Sequence, residues 1–353
     1  MGDYEKICSF ENLYKAHCRS RLGKQDKNEV VRFEMNLARN LIRLSEELES
    51  RNFKMKGYYS FEIFEPKRRI IYASHYPDRV VQHCLCDEVL IPRLQPRLIY
   101  DNAACQPGKG THFAMKRLCR FMNTFYKRHG TNGYILKCDV RKYFNSIDHN
   151  ILKRQLGRVF YEKDVLNLLY GIIDSYGESE NPTRGLPLGN QSSQWFAIYY
   201  LDPLDRLIKE KLKIKYYIRY MDDLILIHED KDYLRQCLEQ IRAFAEEKLH
   251  LSFNSKTQIF PLKNGVNFLG FHFYLIETGK VIKIIRRESK IRLKRHLKYL
   301  MKQYAAGEVE CEKIQNILAS YRGHYDYGNC YRLWQKRMSE FTLVKGTMTQ
   351  QES

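Results

Sequence analysis

The chain has 353 residues, enough for one large domain or for two to three packed subdomains with a well-filled core. Lysine and arginine number 60 against 41 aspartates and glutamates, and the resulting formal charge of +19 suits a polyanionic partner, either nucleic acid or an anionic membrane surface. Aromatic residues make up 13% of the chain, which favours a folded body over a disordered basic tail.

The ten cysteines are dispersed along the chain and include no C-x-x-C pair, so we expect no structural zinc site. Unpaired thiols in a chain of this length indicate a reducing cytoplasm. The N-terminus MGDYEKICSF lacks the apolar core of a signal peptide, and Lys6 stands where a myristoylation signal needs Ser or Thr. No apolar run approaches the length that spans a bilayer. We therefore expect a cytoplasmic protein whose partner is nucleic acid rather than a membrane.

The first half of the chain alternates helical and strand-like patterns. Apolar spacing over residues 10–50 is helical. The segments YYSFEIFEP and IIYAS, joined by the basic turn KRR, predict a β-hairpin. Pro77 opens a predicted helix that runs to about Val89. The Gly-rich turn CQPGKGTH precedes a basic amphipathic helix, and GYILKCDVRKYF contains a buried strand that ends at Asp139.

The second half begins with LPLGNQSSQ, a turn that is predicted to feed a long helix. The stretch YYIRYMDDLILIH predicts two short strands with Asp222 and Asp223 at the bend. A helix over 231–249 follows, then strands to about Ile285. The tail to Arg337 is predicted to be helical and is very basic. No internal repeat, low-complexity linker or clear domain break is visible.

Two adjacent acids in an apolar hairpin point to a metal site. Like charges this close raise each other's pKa, and Mg²⁺ or Mn²⁺ with oxygen ligands relieves the repulsion. The upstream strand offers a third carboxylate, Asp139. If the two strands are neighbours in one sheet, the carboxylates converge, and two metals can activate a 3′-hydroxyl and stabilise a leaving pyrophosphate. A solvated aspartate pair in a hairpin turn is the alternative, and the pair alone does not exclude it.

Four motifs in order favour the metal site. KCDVRKYFNSID, LPLGNQSSQ, YMDD and VNFLGF resemble the ordered motifs of reverse transcriptases, over about residues 58–275. The resemblance implies an α+β right-hand polymerase fold with fingers, a palm built on an antiparallel sheet and a helical thumb. It implies an RNA template, an RNA/DNA duplex, dNTPs and two Mg²⁺ ions, which Mn²⁺ can replace. The implied parts are 1–57, an N-terminal helical extension; 58–137, fingers; 138–275, palm with interleaved fingers helices; and 276–353, a basic helical thumb and tail.

The resemblance also implies roles for single residues in the catalytic centre. Asp139, Asp222 and Asp223 are the implied metal ligands, assisted by the backbone carbonyl of Val140. Phe144, five residues after Asp139, stands where the family keeps a bulky aromatic that clashes with a ribonucleotide 2′-hydroxyl and so selects dNTPs. Ordinary core packing is the alternative for this ring.

Other implied residues contact the incoming nucleotide or the nucleic acid. Lys67 and Arg69 of the hairpin would hold the triphosphate. Lys256 in NSKTQI would act as a general acid near the pyrophosphate, with a solvated lysine as the alternative. Gly189 would let the backbone approach the nascent base pair. The implied nucleotide contacts are Lys67, Arg69, Phe144, Leu188, Gly189 and Gln194, and the implied nucleic-acid contacts are Arg79, Gln82 and Lys109.

The basic run RRESKIRLKRHLKYLMKQ near the C-terminus is interpreted through the same resemblance. On a helix it could present a solvated face. In a polymerase thumb it would hold the template–product duplex by its phosphates.

The LPLG turn bears on the type of reverse transcriptase. Retroviral and many group II intron enzymes carry Gln where this chain has Leu188, and the pattern L-G-x-x-x-S-Q resembles bacterial diversity-generating retroelement enzymes. VQHCLC, CQPGKGTH and a compact length without RNase H, maturase or endonuclease domains are similar to that family too. Its members copy a template-repeat RNA with errors opposite adenine, together with a small basic pentameric accessory protein. An aliphatic side chain cannot donate the hydrogen bonds of Gln, which is consistent with looser base-pair checking.

Two other functions stay open. The same features occur in bacterial antiphage-defence reverse transcriptases, which use a dedicated noncoding RNA. A non-catalytic RNA-binding scaffold derived from a polymerase is disfavoured, because a scaffold has no need of three acids facing a polyanion. Either polymerase would act in the cytoplasm of a bacterial or phage-infected cell.

Overall fold

The computed structural model describes residues 2–64, 68–177 and 181–345. The chain divides into two compact units, each made of segments that are separate in sequence. The first unit comprises Met1–Ala114, Leu136–Leu226 and Asp232–Gln258, and the second comprises Met115–Ile135, Ile227–Lys231 and Ile259–Ser353. No helix in the described ranges is both long and apolar enough to cross a bilayer.

The helical pattern over residues 10–50 is confirmed, although the segment is divided. The helices of this region are α1 (Asp3–Cys8), α2 (Phe10–Ser20), α3 (Asn28–Glu34) and α4 (Leu37–Glu49). The chain turns between α2 and α3 around Gly23, whose φ of 67° is left-handed. The α4 helix buries a stripe formed by Leu41, Leu44 and Leu48, and the Tyr4 hydroxyl donates to the Leu48 carbonyl at 2.8 Å.

The hairpin is present as predicted, with β1 (Tyr58–Ile63) antiparallel to β2 (Arg69–Ser74). The next helix, α5 (Tyr76–Leu85), has Pro77 in its first turn, where proline's missing N–H costs nothing. Helical structure does not end at Val89 as predicted. It continues through a π-helical turn, Cys86–Leu90, into α6 (Ile91–Leu94).

A four-stranded sheet organises the middle of the chain. In chain order this region begins with α7 (Thr111–His129), β3 (Tyr134–Asp139), α8 (Tyr143–Ser146), α9 (His149–Leu156) and α10 (Lys163–Asp174). They are followed by α11 (Gln191–Tyr200), α12 (Asp202–Arg206), β4 (Tyr216–Tyr220), β5 (Asp223–His228), α13 (Lys231–Leu249) and β6 (Gln258–Pro261). The strand order is β4-β5-β3-β6, so the two strands that carry the acids are neighbours.

Two predicted helices in this region differ in outcome. The helix over 231–249 is confirmed as α13. The prediction of one long helix after the LPLG turn is wrong, because α11 ends before Leu201 and a separate helix, α12, follows. Pro203 lies in the first turn of α12, where the lack of an N–H favours the start of a helix over its continuation.

The second unit contains a three-stranded antiparallel sheet and three helices. The strands are β7 (Val266–Phe268), β8 (Phe271–Leu275) and β9 (Val281–Ile285). The helices are α14 (Arg287–Ala305), α15 (Cys311–Asp326) and α16 (Tyr331–Ser339). Buried Leu293, Leu297 and Leu300 line one side of α14. The predicted helical tail is confirmed, and its basic residues lie mainly on the solvent side of α14.

Candidate active site

The acid pair lies at a tight turn between β4 and β5. Met221 and Asp222 form the turn, and Asp223 is the first residue of β5. Met221 has a φ of 53°, a left-handed conformation that a non-glycine side chain adopts only at a cost. Something in the surrounding structure must therefore hold the turn in place.

Arg219 supports this turn from inside the first unit. Its guanidinium donates to the Met221 carbonyl at 3.0 Å and to the Ile198 carbonyl at 2.9 Å. It also pairs with Asp205, at 2.5 Å and 2.8 Å, and both side chains are fully buried. The Tyr217 hydroxyl donates to the same carboxylate at 2.6 Å. A buried pair with its polar atoms satisfied in this way is rigid, so the network fixes where Asp222 and Asp223 stand.

The third acid, Asp139, ends β3 beside β5. Its backbone N–H donates to Thr257 Oγ1 at 3.3 Å, and its carbonyl accepts from the Asn254 N–H at 2.9 Å. Val140 forms an antiparallel bridge with Phe253. In a bridge of this kind the flanking residues make the hydrogen bonds, so the Val140 carbonyl points away from Phe253 and remains free of those bonds.

The three carboxylates repel one another. Burial raises the pKa of Asp222, and the nearby charge of Asp139 raises it further, while Arg69 and Arg219 act in the opposite direction. Burial raises the pKa of Asp223 to about 6, with Lys137 opposing the rise and both Asp139 and Asp222 adding to it. The sheet therefore brings together negative charge that a bound cation would stabilise.

Lys137 is a member of this centre that the sequence analysis missed. Its ammonium donates to Asp223 Oδ2 at 2.9 Å. The signal was present in the strand period, because Lys137 and Asp139 are two residues apart on β3 and share a face.

A hard divalent cation fits this set of oxygen donors. Asp223 Oδ1 is buried and has no hydrogen-bond partner within the described part of the chain, so one oxygen of the pair is open to a cation. As they stand, no three His, Cys, Asp or Glu side chains of the described residues are gathered around a single metal position. The argument for a divalent cation therefore rests on the carboxylate and carbonyl oxygens present, and not on a preformed coordination site.

Phe144 follows Asp139 by five residues in the sequence and lies in α8. Lys142, which has a left-handed φ of 45°, directly precedes the helix, and Phe144 is partly exposed. Its neighbour Tyr143 is buried and donates its hydroxyl to the Ala197 carbonyl. Core packing in this segment is therefore the role of Tyr143, and the Phe144 ring retains an accessible surface.

The LPLG turn is packed against the hairpin. A side chain added at Gly189 would place its Cβ 2.7 Å from the Tyr72 carbonyl oxygen of β2. The Ser74 hydroxyl of the same strand donates to Asn190 Oδ1 at 3.0 Å. The close approach that requires glycine here is therefore made to β2. Leu188 in the same turn is half-buried.

The basic residues of the hairpin have different placements. Lys67 lies outside the described residues. Arg68 is paired with Glu62 at 2.5 Å and 3.0 Å. Arg69 is exposed at the start of β2, and its charge lowers the pKa of Asp222, so it lies within electrostatic reach of the acids.

The expected nucleic-acid contacts are engaged within the protein. Gln82 is only 1% exposed and accepts from the Ser192 hydroxyl at 2.6 Å, so its burial contradicts a direct template contact. Arg79 donates to the Ser74 carbonyl at 3.0 Å and pairs with Glu29. Lys109 donates to the Tyr100 and Asn102 carbonyls. Both cations thus help to fold the first unit, and their template contacts stay a prediction.

Lys256 and Gln194 are accessible. Lys256 is exposed in the turn before β6, where its N–H donates to Asn254 Oδ1 at 2.8 Å. Asn254 in turn bonds the Asp139 carbonyl, which ties this turn to the end of β3. Gln194 is partly exposed on α11.

Comparison with known proteins adds independent evidence on fold and family. The chain is 23% identical to a putative COX1/OXI3 intron 2 protein of Saccharomyces cerevisiae over 94% of its length, and 24% identical to the intron 1 protein of that yeast over 49%. It spans 48% and 21% of those two proteins. Its structure resembles telomerase from Candida albicans, solved in complex with a TWJ fragment of telomeric RNA. That match has a TM-score of 0.50 and 13% identity, and it covers 73% of this chain and 52% of the telomerase.

The likeness to telomerase bears on the fold alone and agrees with the right-hand polymerase architecture that the motifs implied. The sequence profile described as reverse transcriptase (RNA-dependent DNA polymerase) matches residues 73–273. That range contains all four strands of the β4-β5-β3-β6 sheet, the LPLG turn and the acid pair. Because the profile covers more than half of the chain, this protein belongs to the reverse transcriptase family.

Proposed function

We propose that the chain is an RNA-directed DNA polymerase that copies a template RNA into cDNA. One observation carries the proposal. Asp139 at the end of β3 and the Asp222–Asp223 pair at the β4–β5 turn lie on neighbouring strands and repel one another. A partly buried, mutually repelling set of carboxylates is unfavourable in a structural scaffold and is suited to metal-assisted phosphoryl transfer.

In this proposal the three carboxylates and the Val140 carbonyl hold two Mg²⁺ ions. When bound, the ions would lower the pKa of a primer 3′-hydroxyl and stabilise charge on the leaving pyrophosphate. Lys137 keeps Asp223 Oδ2 in place and leaves Oδ1 for the ion.

The remaining side chains bind and select the nucleotide. Arg69, together with Lys67, binds the triphosphate. Lys256 donates a proton to the pyrophosphate. Phe144 lies under the sugar and excludes a 2′-hydroxyl, and Gln194 contacts the template or primer.

The first test replaces Asp222→Asn together with Asp223→Asn. We expect dNTP incorporation on a primed RNA template to fall at least about a thousandfold, because metal stabilisation of the transition state contributes several kcal/mol. Affinity for the template should stay near the original value, since neither acid binds RNA.

The matched control is Glu246→Gln with Glu247→Gln, an adjacent and exposed acid pair on α13. It removes the same charge and should leave incorporation unchanged. Normal incorporation by the aspartate variant would exclude the catalytic assignment.

We further propose that the enzyme belongs to the diversity-generating type, makes error-prone cDNA and works with a small basic accessory protein. Leu188 supports this proposal, because it is half-buried in the turn beside β2 and has no group that can donate a hydrogen bond. The alternative role is antiphage defence with a dedicated noncoding RNA. Sequencing the nucleic acid that co-purifies with the protein distinguishes diversification from defence. Transcripts of a template repeat support diversification, and a structured noncoding RNA supports defence.

The second test replaces Leu188→Gln. We expect fewer misincorporations opposite template adenine, because Gln restores a hydrogen-bonding group near the nascent pair. Deep sequencing of cDNA made in vitro measures the error spectrum. Leu188→Met, which remains without donors, should keep the original spectrum, and an unaltered spectrum in Leu188→Gln would remove Leu188 as a fidelity determinant.

A further inference from the structure

A basic groove of about 500 Å³ lies within the second unit, and no residue of the carboxylate centre belongs to it. One wall is a face of α7 and the other is Lys283 of β9. The lining residues are Lys116, Cys119, Arg120, Asn123, Thr124, Lys127 and Lys283. We call this feature the α7 groove.

The helix presents its cations to the α7 groove in a row. Lys116, Arg120, Asn123 and Lys127 follow the spacing of one helical face, and all four are exposed. At a rise of 1.5 Å per residue the row from Lys116 to Lys127 is about 16 Å long. The opposite side of α7 is buried, so the helix cannot rotate to hide these charges.

Within the described part of the chain, the α7 groove carries no compensating acid. None of its lining residues is Asp or Glu. The sequence has no acidic residue from Asn102 to Cys138, a stretch that includes all of α7. Four cations that share one groove repel one another, and a ligand with repeated negative charge would relieve that repulsion.

The form of the α7 groove indicates the class of ligand. Drug-sized ligands prefer clefts that enclose most of their surface, whereas the α7 groove is open to solvent and is lined by four basic side chains. A membrane surface would also need apolar anchors, and none of the large exposed hydrophobic residues of the described chain belongs to α7 or β9. Asn123 and Thr124 add neutral hydrogen-bonding groups of the kind that contact phosphate and sugar.

We propose that the α7 groove is an additional RNA-binding site that holds the template RNA by its phosphate backbone. The proposal rests on the proposed function, which makes RNA the polyanion that the enzyme must retain. Contacts of this kind position a nucleic acid without reading its sequence. The site would therefore keep the template attached while the carboxylate centre copies another part of it.

The experiment removes the row with Lys116→Ala, Arg120→Ala and Lys127→Ala. Alanine is a strong helix former and the positions are exposed, so α7 should persist. Binding of labelled oligouridylate RNA is measured between about 50 and 200 mM salt. Each single-strand phosphate contact contributes about 0.7 to the slope of log affinity against log salt, so losing three should make the slope shallower by about 2.

The matched control is Arg128→Ala, Lys211→Ala and Lys248→Ala, which removes the same charge at exposed positions outside the groove. It should change the slope by much less. Lys283→Ala, from the opposite wall, is an independent variant and should reduce the slope by about 0.7. An unchanged slope in both groove variants would overturn the proposal, as would a groove-dependent preference for oligothymidylate DNA or for anionic lipid vesicles.

Primer extension on a short pre-annealed template separates this proposal from the polymerase assignment. The groove variant should extend such a template normally, because its carboxylates are intact. Normal extension with an unchanged salt slope rejects the α7 groove alone. The opposite result is also distinguishable. If the groove variant has a shallower salt slope but the original protein never incorporates dNTPs, the α7 groove is supported as an RNA site and the polymerase assignment is rejected.

Discussion

The two oxygens of Asp223 have different neighbours, and this difference explains much of the chemistry of the site. Oδ2 accepts from Lys137 at 2.9 Å, and Oδ1 is buried without a partner in the described chain. The ammonium partly offsets the repulsion from Asp139 and Asp222, which allows three acids to stand on adjacent strands. Lys137 is thus a positioning residue for Asp223.

The raised pKa of Asp223 predicts how stability depends on pH. The folded protein keeps a proton on this carboxyl up to a pH of about 6, whereas the unfolded chain loses it near 3.8. The free energy of unfolding should therefore fall as pH rises across that window, by at most about 3 kcal/mol from this group. Urea unfolding in the presence of a chelator measures the fall.

Asp223→Asn removes this contribution because an amide does not ionise, so the variant should lose less stability between pH 4 and pH 7 than the original protein. Lys137→Met should have the opposite effect. Because Lys137 lowers the Asp223 pKa, its removal raises that pKa further, and the fall in the free energy of unfolding should extend to higher pH. Identical pH profiles for all three proteins would contradict this account.

Among the elements, the β1–β2 hairpin and the LPLG turn form one assembly in the first unit. Gly189 approaches the Tyr72 carbonyl, and Ser74 donates to Asn190. Arg69 starts the same strand, so the position of a proposed triphosphate-binding residue depends on this packing. Sequence reasoning assigned Gly189 to a base pair because nothing in the local pattern reveals that β2 lies against it.

Gly189→Ala tests the assembly. Its Cβ would lie 2.7 Å from a backbone oxygen that cannot rotate away, so the hairpin must shift. Overpacking of this kind costs about 1–3 kcal/mol. We expect lower stability in chemical unfolding and a higher KM for dNTPs.

Gly171→Ala on α10 is the control, because a Cβ there meets open space within a helix. It should be neutral or stabilising by about 0.5–1 kcal/mol. Equal effects of the two substitutions would show that the contact with β2 has no special consequence.

At the scale of the whole molecule, the charge of +19 is distributed over both units, on exposed residues such as Arg69, Lys256 and the row on α7. Buried charges behave differently, since Arg219 is neutralised by Asp205. The cations that remain accessible are those that a polyanion can reach. The affinity of the chain for polyanions should therefore depend on its net exposed charge and not on any single ion pair.

We expect the affinity of the full chain for RNA to fall about a thousandfold between about 50 and 200 mM salt, as for a protein with about seven contacts to the phosphates of a single strand. Fluorescence anisotropy with oligouridylate measures this dependence. Asp222→Asn with Asp223→Asn should show the same slope as the original protein. A nearly flat response would indicate that the charge surplus does not bind the backbone.

The sequence alone determined the positions of the acids, the hairpin, α13 and the basic helical tail, because turn residues and the periods of strands and helices are local properties. It also placed Asp139 and the acid pair on separate strands, while the strand order that makes them neighbours came from the tertiary structure.

Only the tertiary structure decided which polar groups are buried together. Gln82 meets Ser192 across 110 positions, so no local pattern could reveal that pair. The strand period places Lys137 on the same face as Asp139, but its partner Asp223 is 86 positions away and only the strand order brings the two together. Arg219 is fully buried and supports the Met221 turn, a role that its place in the basic and aromatic run YYIRY does not indicate. Burial depends on what the rest of the chain packs against a residue, and it decided which of the polar residues can reach a ligand.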